Sequence, residues 1–435
     1  MSWFRSLLAH RRLPWVLAAF GIVLTLPSLF IGWAMDDHVL RYASAGGEGI
    51  SPELLKPTGL FGFLGDPEVV RSLKERGSLP WWTAEGFLLA FWRPLSSLTH
   101  WVDFRLWPDN PLLMHLQSVL FYGLLVFVVT HLYRQTLTPA CVAGLAALLF
   151  AVDDAHGQAV AWISARNSLL ATIFGSLALI AHDRWRNRGW KAGALFGPLA
   201  FLLSLLSKEM GAAFGGYVAA HVAFLDKNPW RTRFGAFAPY VAVLLGWRLL
   251  YRALGYGVSA SGMYVDPLAE PANFAAAVVE RAPAMILGLW APPPADLATF
   301  GPEPLPTVIW LLGTTLLVLL FFLFKPFLDR ERTARFWATG MILSLLITST
   351  SLPANRYLLV PSLGAMWTPR PFPARLARGM ARLFPIARME GRGKGERRFL
   401  CRHPFGARAL RASVRRLGFS GSRGGRRECR PLASR

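Results

Sequence analysis

From Pro14 to Met35 the sequence carries no charged side chain. About 20 such residues in a helix cross the hydrocarbon core of a bilayer, so this stretch alone limits what the chain can become. Arg5, Arg11 and Arg12 precede it. A cleaved signal peptide has an apolar core of about 7–15 residues and a small-residue exit. This stretch is longer and lacks that exit, so it reads as a retained first helix with a cytoplasmic N-terminus.

Similar stretches recur at Pro111–Tyr133, Gln135–Val152, Ala159–His182, Ala192–Ser207, Met210–Leu225, Phe234–Tyr251, Val308–Phe324 and Phe336–Leu352. The expected fold class is therefore all-α: a polytopic integral membrane protein with about 9–10 transmembrane helices. The short pair within Ala192–Leu225 has the form of a re-entrant hairpin. With the N-terminus inside, the inner loops hold Arg134, then Arg184, Arg186, Arg188 and Lys191, then Lys227, Arg231 and Arg233. That is the distribution the positive-inside rule requires. Phe274–Trp290 has Glu280 and Arg281 in its middle. Lying on the surface or re-entering, it leaves the basic loop Lys325–Arg335 with the other inner loops, and this is the preferred reading.

The charge balance agrees. The chain has 435 residues, 47 Lys+Arg and 25 Asp+Glu, for a net charge of +22, but only 17% of its residues are charged. Residues 367–435 contribute 19 Lys+Arg and 3 Asp+Glu, a net of +16, which leaves +6 for the first 366. A soluble basic protein is excluded, and no nucleic-acid partner is expected; membrane lipids are. The three cysteines, Cys141, Cys401 and Cys429, show no metal-ligand spacing. No Walker loop, GxGxxG unit, HExxH or GxSxG occurs, and there is no internal repeat.

On this topology the outer side collects the loop Asp36–Asn110, the turn Asp153–Gly157, the tip Lys208–Glu209, the loop Arg252–Thr307 and the segment Pro353–Tyr357. Asp36 and Asp37 stand where the first helix leaves the membrane, followed by His38. Paired carboxylates there can bind a cation, leave one free as a base, or simply flank the interface. Asp153, Asp154 and His156 share a turn too short to leave the membrane surface. Arg166 follows, at a depth costly for a charge without a partner; it either snorkels or meets an anion or a carboxylate. Lys208 and Glu209 interrupt an apolar stretch, either as a self-neutralising pair or as a lysine held for a phosphate. Arg356, Tyr357 and His115 carry little meaning alone.

Together these segments resemble a known family. RPLSSLTHWVDFRLWPDNPLLMHLQSVLFYG (Arg93–Gly123), FAVDDAHGQAVAWISARNSLLATIFGSLAL (Phe150–Leu179), LLSKEM (Leu205–Met210), NRYLLVPSLG (Asn355–Gly364) and WAMDDHVL (Trp33–Leu40) are similar to blocks of the membrane O-mannosyltransferase-like family that carries tetratricopeptide repeats in animals. Their order and spacing agree across about residues 10–366. The resemblance implies a GT-C glycosyltransferase with a polyprenyl-phosphate sugar donor. It would act on an unknown protein or glycan acceptor, with mannose the first candidate sugar. It places Asp36 and Asp37 as catalytic base or ligands of a divalent metal (Mg or Mn). Arg93, Arg166, Lys208 and Arg356 become candidates for the donor phosphate. His115, Asp153, Asp154, His156, Glu209 and Tyr357 would support them. One departure stands out: the family's outer turn carries His-Pro before its second His and Glu two residues after it, where this chain has Asp153-Asp154 and Gln158.

The expected domains are a GT-C-like transmembrane domain, 1–366, including the first outer loop 36–110, and an Arg-rich low-complexity tail, 367–435. A polybasic tail emerging outside would violate the charge rule, and only seven of the 47 basic residues are lysine. The tail is therefore expected to be disordered or the product of a shifted reading frame in a GC-rich gene. The predicted protein is an integral membrane enzyme of the bacterial inner membrane with its site on the periplasmic face. A non-catalytic scaffold, a lipid or solute transporter, or an inactive truncated pseudo-enzyme are the competing readings.

Overall fold

The computed structural model describes residues 2–47 and 52–367; the basic tail, with Cys401 and Cys429, lies outside them. The chain opens with α1 (Ser2–Ala9) and α2 (Leu13–Thr25), the latter extended by a 3-10 turn, Leu26–Phe30. The first outer loop contains α3 (Asp36–Ser44), α4 (Pro67–Glu75), strand β1 (Leu88–Ala90) and α5 (Pro94–Leu106). The bundle continues with α6 (Pro111–Thr136), α7 (Ala140–Ala151), α8 (Gly157–Ala161), α9 (Arg166–Arg188), α10 (Gly193–Ser207), α11 (Ala213–Phe224) and α12 (Trp230–Ala253). Strand β2 (Gly257–Ser259), α13 (Pro271–Trp290), α14 (Leu297–Phe300), α15 (Leu305–Arg330), α16 (Arg332–Thr348) and α17 (Leu359–Ala365) complete it. β1 and β2 pair antiparallel, Leu89 opposite Val258, and tie the first outer loop to the segment after α12.

This is an all-α polytopic membrane protein. Among the described residues, six helices are long and apolar enough to cross a bilayer, seven if the pair flanking the 48° bend around Val152 and Asp153 counts as one. α10, α11 and α16 have 15, 12 and 17 residues and fall short of a full span. The expected span Ala159–His182 is broken at Trp162–Ala165, and the first span ends at Phe30, before the acidic pair.

The helices pack closely where glycine allows it. A Cβ on Gly175 would sit 2.0 Å from the Phe214 ring, and one on Gly340 would sit 2.1 Å from the Tyr217 ring. α9 and α16 thus each receive an aromatic side chain of α11 against bare backbone. The basic residues gather at one end. Arg134 donates to the Arg11 carbonyl (3.1 Å), Arg188 to the Gln135 carbonyl (3.0 Å) and Arg186 to Asp226 (2.7 Å). Arg335 lies over the Phe224 ring at the same end.

α13 clarifies the ambiguous segment. It is one continuous helix, and Arg281 satisfies part of its charge on the Ser349 carbonyl (3.3 Å). Trp310 donates to the Val279 carbonyl (3.0 Å), a Cβ on Gly313 would meet the Pro283 carbonyl, and Trp290 packs on Phe324. The matched positions rise together, so α13 and α15 run in the same direction. Residues 291–304 must therefore lead back to the end where α13 began, which is the path of a re-entrant segment. α17 starts a further descent: Tyr217 and Tyr133 donate to the carbonyls of Val360 (3.1 Å) and Leu363 (2.7 Å), and Trp367 reaches Phe327.

Inside the bundle Arg166 is fully buried. Its guanidinium is ion-paired with Asp103 and bonded to Gln117, the Met114 carbonyl (2.8 Å) and Ser118 (3.3 Å). Of the two fates open to this arginine, a carboxylate partner is the one realised, and the pair fastens α5 and α6 to α9. Removing one partner of a buried pair costs about 3–5 kcal/mol because the other charge is stranded. Asp103→Ala is expected to lower the melting temperature in detergent strongly, and adding Arg166→Met should recover part of the loss. An unchanged melting temperature for Asp103→Ala would refute this role.

Candidate active site

The acidic pair owes its position to a backbone turn. Gly32 (φ +77°) and Met35 (φ 46°) both have positive φ, an uncommon choice for methionine. They redirect the chain so that α3 begins at Asp36 rather than continuing the first span. His115, on α6, donates Nε2–H to the Gly32 carbonyl (2.8 Å) and holds this turn. Asp37 is buried and both its oxygens are occupied: Oδ1 accepts from the Ser164 amide (2.8 Å), Oδ2 from the Ala34 amide (3.1 Å). Burial pushes its carboxyl above the ordinary aspartate range, against those two bonds. Asp36 is half-buried, and among the described residues its carboxylate has no hydrogen-bond or ion-pair partner. Burial raises its pKa as well, opposed by the nearby charges of Arg93 and Arg356.

Arg93 immediately precedes α5, with its guanidinium over the rings of Phe91 (4.2 Å) and Phe61 (5.2 Å). Its Nε and Nη2 both lie 2.8 Å from Glu209 Oε2, and Tyr251 donates to Oε1 of the same glutamate (3.5 Å). Lys208 therefore does not neutralise its own neighbour. It is 5% exposed, donates to Ser168 Oγ (2.6 Å) and lies 4.8 Å over the Tyr357 ring. Among the described residues it has no carboxylate partner. Burial, reinforced by Arg93 and Arg356, holds its pKa well below the ordinary lysine value.

Arg356 lies against Trp162 (5.1 Å) and Tyr357 (4.7 Å), with only a loose ion pair to Asp296 (3.9 Å). The Tyr357 and Tyr264 hydroxyls are 3.2 Å apart. Arg93, Lys208, Glu209, Tyr251, Tyr264 and Tyr357 line one end of a cavity of about 430 Å³. Leu244, Leu245 and Trp247 of α12 and Ile347 of α16 form its apolar side. A second, largely apolar cavity of about 240 Å³ shares Ala212, Leu244 and Ile347 with it and runs on between α11, α12 and α16 past Gly215 and Gly216.

The remaining sequence candidates lie elsewhere. Asp153 caps the Ala155 amide (3.1 Å) and is 3.4 Å from His156, whose ring is buried against Tyr122 (3.2 Å) and Ser362 (2.9 Å). These groups close the α7–α8 bend, while Asp154 is exposed. Arg166 is engaged inside the bundle. No cluster of three His, Cys, Asp or Glu side chains suited to a metal occurs among the described residues. With both Asp37 oxygens occupied and two arginines near Asp36, the acidic pair offers a poor donor set for a divalent ion.

Sequence reading missed Asp296. Its Oδ2 accepts from the Asn355 amide (3.0 Å) and its Oδ1 from Gln158 Nε2 (3.2 Å), so a carboxylate faces the altered outer turn after all. The one available signal was a lone acid after three prolines, Pro292–Pro294, in an apolar stretch. Tyr264, Tyr251 and the Arg248–Asp266 ion pair at the cavity had no signal at all.

The molecule is thus a polytopic helical membrane protein with a recessed cluster of cations at the head of an apolar cavity. Its sequence is similar to protein O-mannosyl-transferases. It is 33% identical over 123 residues to one from Caenorhabditis elegans, covering 28% of this chain and 17% of that protein. It is 32% identical over 196 residues to one from Drosophila melanogaster, covering 44% and 20%. It is 29% identical over 160 residues to one from Homo sapiens, covering 34% and 18%. The matches thus span no more than a fifth of these relatives. Among solved structures, the chain aligns with ArnT from Cupriavidus metallidurans bound to undecaprenyl phosphate at a TM-score of 0.41 and 16% identity, over 85% of this chain and 63% of that one. No protein-family profile matches.

The cluster sets opposite expectations for two adjacent residues. Lys208→Met removes an uncompensated buried charge and should leave the melting temperature unchanged or raise it. Glu209→Gln strands Arg93 and should lower it. Thermal unfolding of both variants in one detergent checks the contrast, which fails if Lys208→Met is the more damaging.

Proposed function

We propose that the chain is a membrane glycosyltransferase that moves a sugar, with mannose the first candidate, from a polyprenyl-phosphate donor to a hydroxyl of a protein or glycan acceptor. The observation that carries this reading is the uncompensated Lys208 beside Arg93 and Arg356, at the head of an apolar cavity with Asp36 near both arginines. A soluble anion needs no such apolar walls. A lipid phosphate uses both halves, its phosphate at the cations and its chain along Leu244 and Ile347.

In this reading Lys208 and Arg356 hold the donor phosphate. As the bond between the anomeric carbon and the phosphate oxygen breaks, charge builds on that oxygen, and fixed cations in a water-poor site favour it most at that moment. Asp36 takes the proton of the acceptor hydroxyl as its oxygen attacks from the opposite face, inverting the anomeric carbon. Asp37 holds α3 in place and does no chemistry. The basic end of the bundle faces the cytoplasm by the positive-inside rule, so the site faces outward, periplasmic in a bacterial inner membrane. The sugar assignment leans on the name of the relatives.

Membranes containing the full chain, given labelled polyprenyl-phosphate mannose and an acceptor extract, test this. Asp36→Asn should lose about 10²–10⁴-fold in rate, the usual contribution of a positioned base, and Lys208→Met should raise the donor KM. Equal transfer by wild type and Asp36→Asn would overturn the assignment, and a scaffold or transporter would show that indifference. The rate should also depend on pH with a definite sign. The base works deprotonated, and burial raises its pKa, so the rate falls as pH drops through a value above the ordinary 3.9 or so of aspartate.

A further inference from the structure

Arg356 stands on a short 3-10 turn, Asn355–Tyr357, with its guanidinium against Tyr357, which lines the cavity, and such a turn needs an external support. Gln158 supplies it from the α7–α8 region: its Oε1 accepts from the Arg356 backbone amide (2.9 Å) while its Nε2 donates to Asp296 Oδ1 (3.2 Å). Asp296, on the returning segment after α13, accepts from the Asn355 amide through Oδ2 (3.0 Å), and Asn355 Oδ1 accepts from the Ala295 amide (2.9 Å). Three distant parts of the chain therefore meet in one hydrogen-bonded ring beneath Arg356.

We propose that Gln158 and Asp296 are positioning residues for Arg356, and that position 158 requires an amide because it must accept from a backbone N–H and donate to a carboxylate at once. The ring admits one orientation of that amide, since the reversed one would point N–H at N–H and oxygen at carboxylate. A glutamate at 158 would set two carboxylates about 3.2 Å apart, which ionised groups tolerate only if one takes up a proton. The guanidinium itself is not consumed. Its ion pair with Asp296 is 3.9 Å long, and its faces rest on Trp162 and Tyr357, so it stays free to meet an anion beside Tyr357 at the edge of the cavity.

The inference rests on the glycosyltransferase reading for its kinetic consequence but not for its geometry, and the experiment separates the two. The full chain is purified as wild type, Gln158→Glu, Asp296→Asn and the double variant. Phenylglyoxal labelling of Arg356, followed by mass spectrometry without any ligand, reports how firmly the residue is held. Gln158→Glu should label at least about threefold faster than wild type. The double variant, in which the charge has merely changed sides, should return close to the wild-type rate, as coupled neighbours do. In the transfer assay the same Gln158→Glu should raise the donor KM about tenfold with a smaller change in kcat, and the double variant should recover most of it. Equal labelling of wild type and Gln158→Glu, or additive losses in the double variant, would overturn the bracket. Absent transfer by the wild type with the labelling pattern intact would instead overturn the enzymatic reading and leave the bracket standing.

Discussion

The ion pair between Arg93 and Glu209 governs the electrostatics of the site. Two cations and one carboxylate lie close together, and the carboxylate goes to the arginine, whose Nε and Nη2 both lie 2.8 Å from a single oxygen. Lys208, adjacent in sequence to that carboxylate, is left buried with only Ser168 and the face of Tyr357. A lysine so placed is unfavourable in the empty protein and favourable with an anion beside it. The pair therefore sets where a negatively charged group is wanted, and on the proposed function Asp36 is the group that would receive a proton nearby.

The polar residues converge because helices are interrupted where they stand. The break between α10 and α11 turns Lys208 into extended backbone and points it inward. The bend between α7 and α8 brings Gln158 and Trp162 toward Arg356, and the turn at Met35 starts α3 on Asp36. In a membrane protein, irregular backbone away from water persists only where protein buries it or it lines a cavity. Here the freed groups are met: the Ser207 carbonyl by Ser96 (2.8 Å), the Gly32 carbonyl by His115, the Ala34 amide by Asp37. Each interruption is held by a side chain from another element.

Much of this was legible in the sequence, and the parts that were not share a cause. Charge-free runs and basic loops report the spans directly, because the bilayer penalises unpaired charge whatever the tertiary contacts. Asp36 and Lys208 could be singled out because each is a charge at the edge of an apolar stretch, whereas Arg93 and Arg356 became candidates only through the family resemblance. The division of labour between Asp36 and Asp37 could not be read, since two adjacent aspartates look alike until one is seen to cap Ser164 and Ala34. Nor could the partners of Arg166 or the part played by Asp296, because Asp103 and Gln158 lie 63 and 138 residues away along the chain. Helix ends shifted for a similar reason: Trp162 is apolar enough to continue a helix from α8, but the chain is extended there and resumes through a 3-10 turn, Ile163–Ala165.

The shared walls of the two cavities carry one more consequence. Ala212, Leu244 and Ile347 belong to both, so the space under the cations adjoins a second apolar one between α11, α12 and α16, a sideways route for an apolar chain. A ligand taking that route arrives by diffusion in the plane of the bilayer. Its effective concentration is then a surface density, set by the lipid around it and diluted by added detergent or carrier lipid. If the ligand is the proposed lipid phosphate, saturation follows composition in two dimensions, and an affinity expressed in moles per litre would describe the preparation more than the protein.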